Sequence, residues 1–169
     1  MAQTLVLVRH GKAEKPGSGT ADIDRSLTKA GLEALGRTFP LTFSLLAGTK
    51  DTGAPFQIWV SPAKRARQTA EAAASALAAN GTPAKAPEEH PCLWEQDGTA
   101  FLDELAAAPA DARVIAVGHI PFMQDMLQRL THADVSFAPG GAAAIELEGS
   151  PTDVAPGRLL WFVQGPRTK

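Results

Sequence analysis

The sequence predicts an α/β fold: a three-layer α/β/α sandwich on a mostly parallel sheet, with a C-terminal antiparallel hairpin. Two observations predict it. Short apolar runs alternate with longer stretches of helical periodicity: Leu5-Val6-Leu7-Val8, Phe56-Gln57-Ile58-Trp59-Val60 and Val114-Ile115-Ala116-Val117. Strands that alternate with helices make a parallel sheet covered on both faces. Two late runs, Ala142–Leu147 and Leu159–Val163, are separated by a Gly/Pro/Ser-rich loop that suits an antiparallel pair.

The elements follow in order. A first strand is expected over Thr4–Arg9, then a loop over Lys12–Asp24, rich in Gly, Lys and Asp. A helix should begin at Thr28, because Leu32, Leu35 and Phe39 keep helical spacing, and Pro40 should interrupt or end it. After a loop over Ala47–Pro55, a second strand covers Phe56–Val60. Ser61 can cap the next helix, Pro62 suits its first turn, and Asn80-Gly81 should stop it. A short strand is expected near Glu89–Leu93, a helix over Thr99–Ala107, a strand over Val114–Val117 and a helix over Pro121–Leu130. The two late strands complete the chain. No linker divides it, so residues 1–169 are expected to form one domain.

Composition excludes several function classes. A net charge of −2 implies no general affinity for nucleic acid or an anionic membrane. No apolar run reaches the roughly 18 residues that a spanning helix needs. Met-Ala-Gln-Thr is too short and polar for a signal peptide. The single cysteine, Cys92, permits no intrachain disulfide, which fits a reducing cytoplasm. Four scattered histidines and one cysteine give no zinc spacing, and no cofactor is implied.

The chemistry lies at three strand ends. The first strand runs into Arg9-His10-Gly11, the second into Ser61-Pro62-Ala63-Lys64-Arg65, and the third into Gly118-His119. In open α/β sheets, ligands bind beyond the C-terminal ends of the strands. Arginine grips phosphate in a bidentate fork, and a neutral histidine beside it can act as a nucleophile. Cations near His10 would disfavour its protonated form. His119 can donate to a phosphoryl oxygen. Gly11 is expected to let the backbone turn and approach the ligand without a Cβ. Helices starting after Ser61 and His119 would point their N-terminal dipoles at an anion. The set suggests phosphoryl transfer through histidine without a metal.

In this order the three motifs resemble the histidine phosphatase superfamily, the RHG or phosphoglycerate mutase-like group, from Thr4 to about Phe162. The short chain, Lys12-Ala13 after Arg-His-Gly and the compact Gly118-His119-Ile120-Pro121 turn are most similar to SixA-type phosphohistidine phosphatases. The resemblance implies that His10 is the nucleophile and that Arg9, Arg65 and His119 bind phosphate. Arg25 in Asp24-Arg25-Ser26-Leu27-Thr28 matches a segment that often reads Arg-x-Leu-Thr. It is either an auxiliary phosphate contact at the pocket mouth or an arginine bound to local carbonyls or Asp24. Arg67 reads as a surface partner of Glu71, and His90 and His132 as structural or surface residues.

The general acid is the open position. Many relatives carry one after the second helix, where Leu93-Trp94-Glu95-Gln96-Asp97-Gly98 stands here. Glu95 is the first candidate and Asp97 the second, and a solvent-exposed turn carboxylate is an equal alternative for Glu95. An ester needs a proton donor for its alkoxide, whereas a phosphohistidine imidazole can leave once solvent protonates it. The segment between Gly98 and Val114 leaves no room for a large cap. An open pocket suits a phosphorylated side chain on a protein, such as a histidine-phosphotransfer domain. The expected function is therefore a phosphohistidine phosphatase acting through phospho-His10. One alternative is a small-molecule or nucleotide phosphomonoesterase closed by the Lys12–Asp24 loop. Another is a phosphoprotein-binding module without turnover. The sequence carries no signal for oligomeric state.

Overall fold

The computed structural model describes residues 2–17 and 19–168. A six-stranded sheet runs in the order β3-β2-β4-β1-β5-β6. Its strands are β1 (Gln3–Arg9), β2 (Phe56–Val60), β3 (Glu88–Glu89), β4 (Arg113–Gly118), β5 (Ala142–Leu147) and β6 (Gly157–Val163). β3, β2, β4 and β1 are mutually parallel, and β5 and β6 form the antiparallel hairpin beside β1. The mostly parallel sheet and the late hairpin match the architecture expected from the sequence.

The apolar runs do not alternate because both faces of the sheet are covered. Val6, Val8, Ile58, Val60, Ile115 and Val117 meet α1 (Lys29–Ser44) and α2 (Lys64–Ala79) on one face. Leu5, Leu7, Trp59, Val114 and Ala116 meet α4 (Gly98–Ala107) and α5 (Phe122–Thr131) on the other. The short α3 (Pro91–Glu95) buries Cys92 and Leu93 on that second face. No helix among the described residues is long and apolar enough to cross a membrane.

Register brings the three motifs to one edge. Arg9 pairs with Gly118 and Val60 with Val117, so His10, Ser61 and His119 follow side by side. Backbone bonds continue the ladder past the strands: His10 N–H donates to Gly118 O at 2.9 Å and Ser61 N–H to Val117 O at 3.0 Å.

Three expectations need correction. Pro40 lies inside α1 rather than ending it. Interior proline costs roughly 3 kcal/mol, whereas burying two phenylalanines returns roughly 3–6 kcal/mol. Phe39 and Phe43 sit on either side of Pro40, buried and edge-to-face at 5.0 Å. The strand expected near Glu89–Leu93 is only Glu88–Glu89, because Pro91 opens α3 immediately afterwards. Ser61 is not the cap of α2: the helix starts at Lys64, after Ala63. At the start of α1, Thr28 Oγ1 accepts from Gly31 N at 2.9 Å. Gly31 is needed there, since a Cβ would lie 2.5 Å from Lys12 O.

Candidate active site

At this edge His10 is held in one tautomer. Its Nδ1 lies 2.7 Å from Gly11 O. A carbonyl only accepts, so Nδ1 carries the hydrogen and the neutral ring keeps its lone pair on Nε2. Burial pushes the His10 pKa down to about 4, the Gly11 carbonyl opposes this, and the charges of Arg65, Arg9 and Arg25 lower it further. His10 is therefore neutral near pH 7. The loop that carries it is tied to α2 through Thr69. Gly11 N–H donates to Thr69 Oγ1 at 3.0 Å, and that hydroxyl donates to Arg65 O at 2.8 Å.

His119 faces His10 with ring centroids 5.3 Å apart. It is buried, with Nε2 2.8 Å from Ser61 Oγ, and its pKa falls to about 3 through burial first, then His10 and Arg65. Ser61 Oγ also accepts from Ala63 N at 3.2 Å. Ser61 thus links the end of β2 to His119 rather than capping α2. Trp94 stands edge-on to His119 at 5.5 Å and lies 5.7 Å from the Arg65 guanidinium.

Two arginines frame the histidines. Arg9 NH1 donates to Phe137 O at 2.7 Å. Arg65, in the first turn of α2, donates from NH1 to Asp22 O at 2.6 Å and from NH2 to Asp22 Oδ2 at 3.2 Å. Burial lowers the pKa of both guanidiniums. Each leaves a buried Nε–H without a partner among the described residues. Both arginines line one cavity, and their positive charge favours an anionic ligand there.

The cavity measures about 280 Å³. Arg9, His10, Arg65 and His119, which stand at the ends of three strands, line it together with Arg25. Arg25 combines its two expected environments. It lines the cavity, yet donates to Glu14 O at 2.5 Å and, from Nε, to Asp22 Oδ1 at 2.8 Å. The carboxylate beside it is Asp22, not Asp24.

Other expectations meet a different geometry. Glu95 is exposed and does not line the cavity; its neighbours Trp94 and Gln96 do. Asp97 is turned to local work, capping α4 by accepting from Ala100 N at 3.0 Å. Gly11 is buried and away from the lining. A Cβ there would meet Leu35 Cδ1 at 2.8 Å, so its bareness makes room for α1 rather than for a ligand. At the start of α5 the Phe122 N–H is already taken by Gln96 Oε1 at 3.0 Å, so this donor is engaged by the protein rather than offered to an anion. Arg67 lies 3.9 Å from Glu89, not paired with Glu71. His90 stacks on Trp59 at 4.3 Å and contacts Glu104 at 2.5 Å, away from the cavity.

Asp22, Trp94 and Gln96 were not singled out as cavity residues from the sequence. Asp22 meets Arg65 across 43 residues, which no local pattern encodes. Gln96 has φ 54°, and this left-handed residue turns the chain between α3 and α4. The Cys92 thiol is pushed up to about 12 by burial and by Glu104, which keeps it protonated. Among the described residues no group of three or more His, Cys, Asp or Glu side chains could hold a metal ion.

These features agree with comparison to known proteins. A sequence profile of the histidine phosphatase superfamily (branch 1) matches residues 5–97. The chain belongs to this superfamily, and it is a phosphatase of the hydrolase class. No curated protein matches it. A protein from Nakamurella multipartitia, described as the phosphohistidine phosphatase SixA, is 31% identical with TM-score 0.69 over 98% of this chain and 97% of its own. Two further solved structures share the fold at lower identity. One, described as SixA from Agrobacterium tumefaciens, is 24% identical with TM-score 0.72, covering 96% of this chain and 98% of its own. The other, a protein histidine phosphatase SixA complexed with tungstate, is 23% identical with TM-score 0.74, covering 95% of this chain and 96% of its own.

Proposed function

We propose that this phosphatase removes phosphate from phosphohistidine on a protein, through a phospho-His10 intermediate. His10 Nε2 attacks phosphorus in line, forming an N–P bond as the N–P bond of the substrate breaks. The leaving imidazole takes its proton from solvent. Water then attacks the phospho-His10 phosphorus, Nε2 departs with its electron pair, and inorganic phosphate leaves. Arg9 and Arg65 hold phosphoryl oxygens and offset charge in both transition states. With the Ser61 hydroxyl donating to His119 Nε2, the other ring N–H of His119 is left for a phosphoryl oxygen.

One observation carries the choice of substrate. Asp22 is the single carboxylate lining the cavity among the described residues, and it is bound to both Arg25 and Arg65. Their contacts hold its pKa below the ordinary carboxylate value, the hydrogen bond from Arg25 first. A carboxylate so held is a poor proton donor, so the site suits a leaving group that solvent can protonate. Glu95, exposed and outside the lining, is assigned no catalytic role. The 31% identical relative described as a phosphohistidine phosphatase supports the same reading.

We read residues 1–169 as one catalytic domain without a cap, since the sheet draws strands from Gln3 to Val163. The partner is then a phosphorylated protein such as a histidine-phosphotransfer domain. A cytoplasmic site of action fits the lone buried thiol of Cys92. The test is phosphate release from a histidine-phosphorylated phosphotransfer domain and from a panel of phosphate esters, with His10→Ala as control. Fast His10-dependent loss of protein phosphohistidine with weak ester turnover supports the proposal. Dominant ester turnover replaces it with a small-molecule phosphatase. Retention of phosphoprotein without release replaces it with a binding module.

A further inference from the structure

Arg65 is already engaged by an anion that belongs to the chain. Its two terminal nitrogens hold the Asp22 main-chain oxygen at 2.6 Å and the Asp22 carboxylate at 3.2 Å. The partners differ sharply in exposure: the Arg65 side chain is 6% exposed, whereas the Asp22 side chain is 54% exposed. The cation is built into the fold and the anion stands at the mouth. A carboxylate and a phosphoryl group compete for the same guanidinium fork, and side by side they repel.

We infer that Asp22 is an internal counter-anion. It occupies Arg65 in the resting site, is displaced by the phosphoryl group of the substrate, and returns to favour release of inorganic phosphate. The inference rests on the reading of the cavity as a phosphate site. The surroundings of Asp22 permit the exchange. Its segment is anchored at the base by the Ala13–Leu27 bridge and by Glu14 N–H donating to Ser26 O at 2.8 Å. Between these anchors Asp22 lies in a single 3-10 turn, Asp22–Asp24, that contains no buried residue. Ile23 of the same turn packs against the core, so the exchange needs only the exposed Asp22 carboxylate to swing off Arg65 while the turn stays in place. Arg25 supplies the resting place for the displaced carboxylate. It already holds Asp22 Oδ1 and is itself fixed by Glu14 O.

The opposite role would be a buttress, in which Asp22 orients Arg65 for phosphate. The two roles predict opposite signs. Removing a competing anion tightens phosphate binding by the fraction of sites it had blocked. Removing a buttress weakens it. Asp22→Asn isolates the carboxylate, because the main-chain contact to Arg65 remains.

The experiment is calorimetric titration of inorganic phosphate into the wild type, Asp22→Asn, Asp22→Ala, Arg65→Ala and the Arg65→Ala/Asp22→Asn pair, with thermal melting to confirm folding. The expected result is phosphate binding about tenfold tighter in both Asp22 variants. Binding should weaken in Arg65→Ala, and the Asp22 effect should vanish in the double variant. Unchanged or weaker binding in folded Asp22 variants overturns the inference while leaving Arg65 as the phosphate ligand. Equal binding by wild type and Arg65→Ala, or no measurable binding by any variant, overturns both the inference and the phosphate reading of the cavity.

Discussion

The two ends of the sheet carry near-twin clusters with different surroundings. At the C-terminal edge, Arg65 is 5% exposed, pairs with Asp22 and a main-chain carbonyl, and lies 5.7 Å from Trp94. At the N-terminal edge, Arg113 is 7% exposed, pairs with Asp51 at 3.3 Å and Ala54 O at 3.2 Å, and lies 4.0 Å from Phe56. Both leave a buried Nε–H without a partner among the described residues. A buried arginine with an exposed aspartate therefore does not by itself define a reactive site. The difference lies in what stands beside it. Arg65 shares a cavity with His10 and His119, both neutral near pH 7. Arg113 shares one with Thr49, Asp51 and Thr82, and no histidine lines it. We read the first arginine as a phosphate ligand and the second as a clamp on the loop before β2.

Substituting each arginine should separate the two roles. Arg65→Ala is expected to lower kcat/KM by roughly 10²–10³-fold, the usual effect of removing a group that stabilises transition-state charge. Arg113→Ala should leave kcat/KM intact and instead lower stability by about 1–2 kcal/mol, through lost packing and a lost hydrogen bond. Steady-state kinetics and urea melts on both variants check this, and an activity loss in Arg113→Ala would erase the contrast. Ser61→Ala tests whether the histidines matter as held by the fold. Loss of the buried partner of His119 should reduce kcat by roughly tenfold, the equivalent of about 1.4 kcal/mol in the barrier, and lower stability by about 1–3 kcal/mol because a buried polar group is left unpaired.

Acid should act on the same edge. The folded pKa of His10 is about 4 and that of His119 about 3, each below the ordinary value of 6.5. Between those values and 6.5 the unfolded chain binds more protons than the folded one. The stability held by the neutral rings is thus complete above pH 6.5 and drains away as pH falls toward 4 and then 3. NMR titration should find the His10 ring midpoint near 4, and a midpoint near 6.5 would remove the basis for a neutral, buried nucleophile. The smallest effect is expected from Glu95→Gln, less than about twofold in kcat on protein phosphohistidine, since this exposed carboxylate lies outside the cavity.

Much of this edge was legible in the sequence because its signals are local. An apolar run followed by Arg9-His10, by Ser61 and Arg65, or by Gly118-His119 fixes each side chain relative to its own strand end. Parallel register then brings them together. The remainder depends on partners distant in sequence. Asp22 lies in a stretch without periodicity, and its contact with Arg65 exists only after α2 has docked. Ser61 had the residue type of a helix cap, yet its hydroxyl faces His119, 58 residues away. Pro40 shows the same override in the fold, where the packing of Phe39 and Phe43 outweighs a local helix breaker. The sequence left Glu95 equally open as an acid and as an exposed turn carboxylate, because Trp94, Glu95 and Gln96 sit at the end of a helix turn, where successive side chains point in different directions.

The most direct test of the account is to trap the phosphorylated enzyme during turnover and identify the phosphorylated atom. Rapid mixing with phosphohistidine protein, quenching in alkali and ³¹P NMR of the enzyme should reveal phosphohistidine at His10, bonded through Nε2, and none in His10→Ala. Phosphate on Nδ1, phosphate on another residue, or turnover without any phosphoenzyme would contradict the assignment of His10 Nε2 as the nucleophile.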